Sequence, residues 1–168
     1  MQAIIKAFWQ IVLFREGPEY LPDSRPLLAF SIFAYVVVDI LVILALYPSH
    51  VLPPLLLVDV GFLVIWCVGL LRLFDLQARI PQTLTALFGT GALLQILAFP
   101  FSAWPSLGIP IEIPLFLRAL VALLILLWSV AVYGHILSRA LSRSPGAGVA
   151  FAVIYFIVIY QFAAIWTV

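Results

Sequence analysis

Five long apolar runs divide this chain, and the polar punctuation between them alternates in charge. Lys6, Arg15, Arg25, Arg72, Arg79, Arg139 and Arg143 fall on one side of the alternation, and Arg118 falls on the other. A membrane-crossing helix needs about 20 mostly apolar residues. Residues 27–47, 55–74, 81–100, 115–137 and 147–166 each meet that requirement. Composition agrees: a soluble domain carries about 25% charged residues, whereas this chain carries 9% and is 66% hydrophobic. A water-soluble fold of 168 residues has too little interior to hide that surface, so lipid must cover it. The expected fold is an all-α integral membrane protein, a five-transmembrane-helix bundle preceded by an N-terminal interfacial amphipathic helix.

That first helix is the run Ala3 to Phe14, too short to span and stopped by Arg15 and Glu16. Lys6 sits within the apolar stretch and no small-residue cleavage site follows, so a cleavable signal peptide is not expected. The run reads first as a helix lying in the interface, with Phe8 and Trp9 at headgroup depth; the alternative is a helix packed against the bundle. Residues 15–26 are polar and rich in turn formers, and their prolines forbid a continuous helix. The chain therefore divides into 1–26, a cytoplasmic interfacial helix with a Pro/Gly-rich linker, and 27–168, the transmembrane domain. Residues 48–54 form a tight turn, Pro81 suits a first helical turn, and the third span ends near Pro100. Pro100, Pro105, Pro110 and Pro114 mark the next loop, which also holds Trp104 and Glu112. Basic loops resist translocation. The N-terminus is thus expected in the cytoplasm and the C-terminus outside, in a bacterial inner membrane, with Trp104 and Trp166 near the outer interface.

Five spans with short loops leave no room for a soluble catalytic domain. A net charge of +1 gives no nucleic-acid footprint. Cys67 is the single cysteine, so no intrachain disulfide forms, and it reads as a small packing residue. No zinc-ligand spacing, phosphate-binding glycine loop or nucleophile motif is present. His50 falls in a turn, and His135 lies one turn before Arg139; both read as solvated interface residues. No catalytic residue, metal ligand or cofactor is expected.

One constellation rises above this background. At about 1.5 Å per residue, Asp39 lies roughly 12 Å from the outer end of its span. Asp59, Gln95 and Gln161 lie roughly 6–9 Å deep and Arg118 roughly 5 Å deep by the same measure. Each span thus carries one strongly polar residue in its outer half. A charge in hydrocarbon costs about 2.5–3.5 kcal/mol on insertion scales, so these side chains are expected to face the bundle interior. Arg118 and Asp59, closest in depth, form the natural ion pair. Tyr35, one turn before Asp39, is placed to donate its hydroxyl to that carboxylate. Asp39 has no obvious cationic partner in another span, and a protonated Asp39 hydrogen-bonded to a neighbour would cost less than an ionised one. The cluster reads first as an interhelical clamp, its bonds worth about 0.6–2 kcal/mol each. The competing reading is a polar cavity with Asp39 as a proton- or ion-binding carboxylate. Ala86, Gly89, Thr90, Gly91 and Ala92 make the third span narrow, which reads as a close helix-packing surface.

The stretch Arg79 to Leu87, together with Trp128-Ser129 and Ser144-Pro145-Gly146-Ala147, resembles the Yip family of five-span membrane proteins, Rab/Ypt-interacting in eukaryotes with bacterial relatives. The resemblance covers residues 27–167. It implies membrane traffic or complex assembly rather than catalysis. The expected function is therefore a non-enzymatic inner-membrane subunit or scaffold, in contact with the lipid bilayer and with other membrane-protein subunits or copies of itself. The alternative is a small secondary transporter or ion-conducting subunit that uses the outer-half polar cluster.

Overall fold

The computed structural model describes residues 2–102 and 114–167, so Trp104, Pro105, Pro110 and Glu112 lie outside the described residues. Among the described residues six α-helices follow one another: α1 (Gln2–Val12), α2 (Arg25–Leu46), α3 (Leu52–Leu73), α4 (Ile80–Ser102), α5 (Leu115–Ala140) and α6 (Pro145–Thr167). No strand occurs among the described residues. The last five helices are long and apolar enough to cross a membrane. The protein is an all-α membrane bundle.

Helix boundaries follow local chemistry. Ser24 Oγ accepts the Leu27 N–H at 3.4 Å, and Pro26 stands in the first turn of α2. Pro53 and Pro54, read from sequence as part of a turn, are absorbed into the first turn of α3. First-turn N–H groups have no intrahelical acceptor, so prolines cost little there. α4 continues through Pro100 to Ser102, beyond the end expected at that proline. Three helices stop in the same way at the same end of the bundle. Phe14, Asp75 and Ser142 adopt φ values of 60°, 56° and 52° after α1, α3 and α5. The next N–H then turns back five residues: Arg15 to Gln10 at 2.9 Å, Leu76 to Leu71 at 2.7 Å and Arg143 to Ser138 at 2.9 Å. This bond pattern is that of a Schellman closure, which usually uses glycine at the left-handed position.

The spans form a ring in the order α2, α3, α6, α5, α4 and back to α2, with α4 also touching α3. α4 is the central element: 56% of its most apolar window is buried, against 6% for α5. Its small residues explain why. Ala86, Gly89, Thr90, Gly91 and Ala92 are all buried. A Cβ on Gly91 would come within 2.7 Å of both the Tyr133 hydroxyl and the Tyr35 ring. On Gly89 it would collide with the Phe8 ring.

That collision corrects one expectation. Phe8, read as facing the interface, is buried inside the protein, as are Ile11 and Val12. α1 lays this face on α4 and α5, and Trp128 Nε1 donates to the Val12 carbonyl at 3.2 Å. Ile5, Trp9 and Leu13 remain exposed, so α1 has two apolar faces, only one of them packed. The linker also docks. Pro18–Tyr20 forms one 3-10 turn, Leu21 is buried, and Gln82 Nε2 donates to the Leu21 carbonyl at 3.1 Å.

Candidate functional site

The bundle has a basic end, where Arg79, Arg139 and Arg143 cluster, and a far end remote from them. A cavity of about 390 Å³ occupies the centre of the ring and extends to the far end. All five spans line it. Three members of the cluster read from sequence, Asp39, Asp59 and Gln95, line it, together with five tyrosines and Ser129.

On α2, buried residues recur every fourth position: Leu27, Ser31, Tyr35, Asp39 and Ile43. One stripe therefore aims Tyr35 and Asp39 into the ring. Tyr35 does not donate to Asp39, as the one-turn spacing suggested; its hydroxyl donates to Asp59 Oδ2 at 2.5 Å. Helical side chains lean toward the N-terminus, which carries the Tyr35 hydroxyl away from a residue four positions later. Asp39 instead receives Gln95 Nε2 from α4, at 3.3 Å to Oδ1. The structure thus brings Asp39 together with Gln95, and Asp59 together with Tyr35. α2 is tied to α4 by the first pair and to α3 by the second.

Arg118 and Gln161 do not join. Asp59 and Arg118 are not within salt-bridge distance of each other, because α3 and α5 lie across the ring rather than side by side. Arg118 is half-buried, its Nε without a hydrogen-bond partner. Gln161 is exposed. The buried stripe of α6 runs through Gly148, Ala152, Tyr155 and Ile159. Gln161 stands two residues, or about 200°, beyond the last of these. Depth was readable from sequence, but helical phase decided membership.

Aromatic residues complete the wall. Tyr133 and Tyr155 stack at 5.7 Å between ring centroids, and Phe156 packs on Tyr133 at 5.3 Å. Tyr133 also donates to the Leu87 carbonyl at 3.4 Å. Tyr47 and Tyr160 line the cavity nearer the far end. Sequence reading missed this aromatic set; the signal was Tyr133 and Tyr155, each facing a neighbouring helix in mid-span.

Two acceptors beside the cavity are left over. Asp39 Oδ2 and Gln95 Oε1 are buried and have no hydrogen-bond partner. An unmet buried polar group costs about 1–3 kcal/mol. Both residues line the cavity, while these two oxygens are themselves shut off from its open space.

His135 is not a solvated interface residue: its Nε2 donates to the Glu16 carbonyl at 2.8 Å, and Phe14 meets its ring edge-on at 5.6 Å. His50 is exposed in the 3-10 turn Ser49–Val51. Cys67 is fully buried in the apolar core. Among the described residues no group of three His, Cys, Asp or Glu side chains is placed to hold a metal ion. No family model matches the chain, and no curated protein or solved structure matches it significantly.

Proposed function

We propose that this protein is a non-enzymatic membrane carrier or carrier subunit whose central cavity holds an amphiphilic cation, an apolar body with a protonated amine. The observation that carries the reading is the pair of carboxylates, Asp39 and Asp59, in the lining of an aromatic-walled cavity, with no cationic side chain paired to either among the described residues. An ammonium supplies up to three N–H donors, carboxylates neutralise it, and tyrosine faces attract it by about 0.5–2 kcal/mol. The mostly apolar lining suits the remainder of such a ligand. The asymmetry of basic residues supports a topology with the basic end and the N-terminus in the cytoplasm and the cavity in the outer half of a bacterial inner membrane.

The scaffold reading, with the Yip-like resemblance behind it, draws support from one feature. Leu115, Phe116, Leu120, Leu123, Leu124 and Leu127 leave the first half of α5 bare, a face that a second membrane subunit would fit. Against it, the narrow surface of α4 is already filled within the chain by Phe8, Tyr35 and Tyr133.

Equilibrium binding of a fluorescent long-chain alkylamine to the purified protein tests the carrier reading, with the matching alcohol as control. Asp39→Asn keeps shape and most hydrogen bonding but removes the charge. It should fold normally and weaken amine binding at least tenfold, with weak alcohol binding unchanged. Equal amine affinity in wild type and Asp39→Asn sinks the proposal. Amine uptake into liposomes holding the protein alone separates a carrier from a subunit that needs a partner.

A further inference from the structure

A second concavity, of about 480 Å³, opens at the basic end between the start of α4 and the end of α5. Arg79, Arg139 and Arg143 line it together with one carboxylate, Glu19, which leaves a net charge of +2. Orientation by basic loops asks only that arginines lie near span ends. It does not ask that three of them converge on one hollow. Each is held there by a different neighbour. Arg79 Nη1 donates to the Ala140 carbonyl and to Ser142 Oγ, at 2.7 Å each. Arg143 lies over the Phe74 ring, 5.1 Å from its centroid. Arg139 pairs with Glu19. That pair is half-exposed, of a kind worth about 0–1 kcal/mol, and it yields readily to a more highly charged anion.

Depth narrows the ligand. The 26 residues of α5 extend about 39 Å at 1.5 Å per residue. The hydrocarbon core measures about 30 Å. Centred on that core, α5 sets its last turn in the headgroup layer, where phosphate groups are concentrated. Guanidinium groups recognise phosphate through paired N–H donors. Arg79 contributes only Nη1 to its protein bonds, which leaves the edge formed by Nη2 and Nε. Ser142 Oγ accepts from Arg79, so its own hydroxyl proton is free to be donated. Arg79, fixed in advance by its two bonds, loses less rotational freedom on binding.

We propose that this hollow is a binding site for a phosphate-bearing anion, with Arg79, Arg139 and Arg143 as its ligands. An anionic lipid headgroup and a soluble phosphate share this chemistry. The site is independent of the cavity at the far end.

Native mass spectrometry of the detergent-purified chain tests it, with phosphatidylglycerol, phosphatidylcholine and inorganic phosphate as probes. Two variants avoid removing Arg79, which ties α4 to α5. Arg143→Gln deletes one charge. Ser142→Asp keeps an acceptor for Arg79, suits the left-handed backbone there, and repels an anion. Both are checked for monodisperse elution, and either one suffices if the other fails to fold. Retention of phosphatidylglycerol at least fivefold above phosphatidylcholine, falling to parity in the variants, is expected. Binding of inorganic phosphate without lipid preference, lost in the variants, supports the same site with a soluble source. Equal retention of both lipids without phosphate binding overturns the proposal. So does a preference that both variants leave intact.

Discussion

The two ends of α5 differ in every respect that packing can measure. Toward the basic end, Val132, Tyr133, Gly134, Ile136, Leu137, Ser138 and Ala140 are all buried. There Gly134 and Gly148 let α5 and α6 approach backbone to backbone, and His135, Trp128 and the Ala140 carbonyl bind the N-terminal segment and Arg79. Toward the far end, the helix exposes leucine after leucine and borders the cavity with Ala122, Ile125 and Leu126. One end supplies rigidity. The other leaves room at the centre of the ring, with carboxylates inside it. Packing density and cavity are thus separated along a single helix, so a change at one end can be compared directly with a change at the other.

The largest effect belongs to the packed end. A Cβ on Gly148 would collide with the Gly134 carbonyl oxygen and lie 2.6 Å from Ser138 Cβ. Backbone atoms cannot swing aside, so Gly148→Leu has to pry α5 from α6. Overpacking costs about 1–3 kcal/mol and occasionally more; the upper end is expected, with most folded yield lost. Gly61 and Gly69 have nothing within 4 Å of an added Cβ. Gly69→Leu should leave folded yield, read by fluorescence-detected size exclusion, near wild type. Equal losses from the two changes would erase the contrast between a packed seam and an open face.

Asp39→Leu comes next, and it probes the far end. It removes the acceptor of Gln95 and leaves a buried amide unmet, at about 1–3 kcal/mol. Asp39→Asn should cost under about 0.6 kcal/mol, the average for a hydrogen bond between membrane helices. Unfolding in mixed micelles measures both. Wild-type stability in Asp39→Leu would show that the far end does not depend on its polar pairs.

Much of the architecture was legible from sequence because membrane spans announce themselves by length and composition, and because small residues in mid-span imply close neighbours. Gly89 and Gly91 read correctly for that reason. The pairings were less legible. Depth along a helix follows from counting, which put Asp39, Asp59, Gln95, Arg118 and Gln161 in the outer half of their spans. Azimuth follows from which face is buried, and an almost uniformly apolar span such as α6 conceals it. The Tyr35 hydroxyl was misassigned because a four-residue spacing says that two side chains share a face, not which way each leans. The left-handed closures at Phe14, Asp75 and Ser142 carried no glycine to betray them.

Tyr35→Phe is the third test. It deletes the hydroxyl that binds Asp59 while keeping the ring, which meets Phe88 edge-on at 5.1 Å. Single-site effects of this kind in membrane bundles average about 0.6 and reach about 1.7 kcal/mol. A short bond to a carboxylate places this one in the upper half. A loss matching that of Asp39→Leu would mean that the α2–α3 tie matters as much as the α2–α4 tie.

The smallest expected effect is a coupling near zero, and it bears most directly on what closes the far end. Depth alone made Arg118 and Asp59 an ion pair. If they were one, removing either partner would strand the other and the double change would recover part of the loss. In the ring, α3 and α5 face each other across the cavity, and Asp59 is already held by Tyr35. Arg118→Ala and Asp59→Asn should therefore each lower stability on their own terms, and their losses should add within about 0.5 kcal/mol, as for sites with no shared partner. A coupling above about 1 kcal/mol would require Arg118 to reach across the cavity. The far end would then be closed by charge, and an amine would have to displace Arg118 to reach Asp59. Measured additivity leaves both carboxylates in the cavity without a guanidinium competitor, the condition under which the proposed cation site can work.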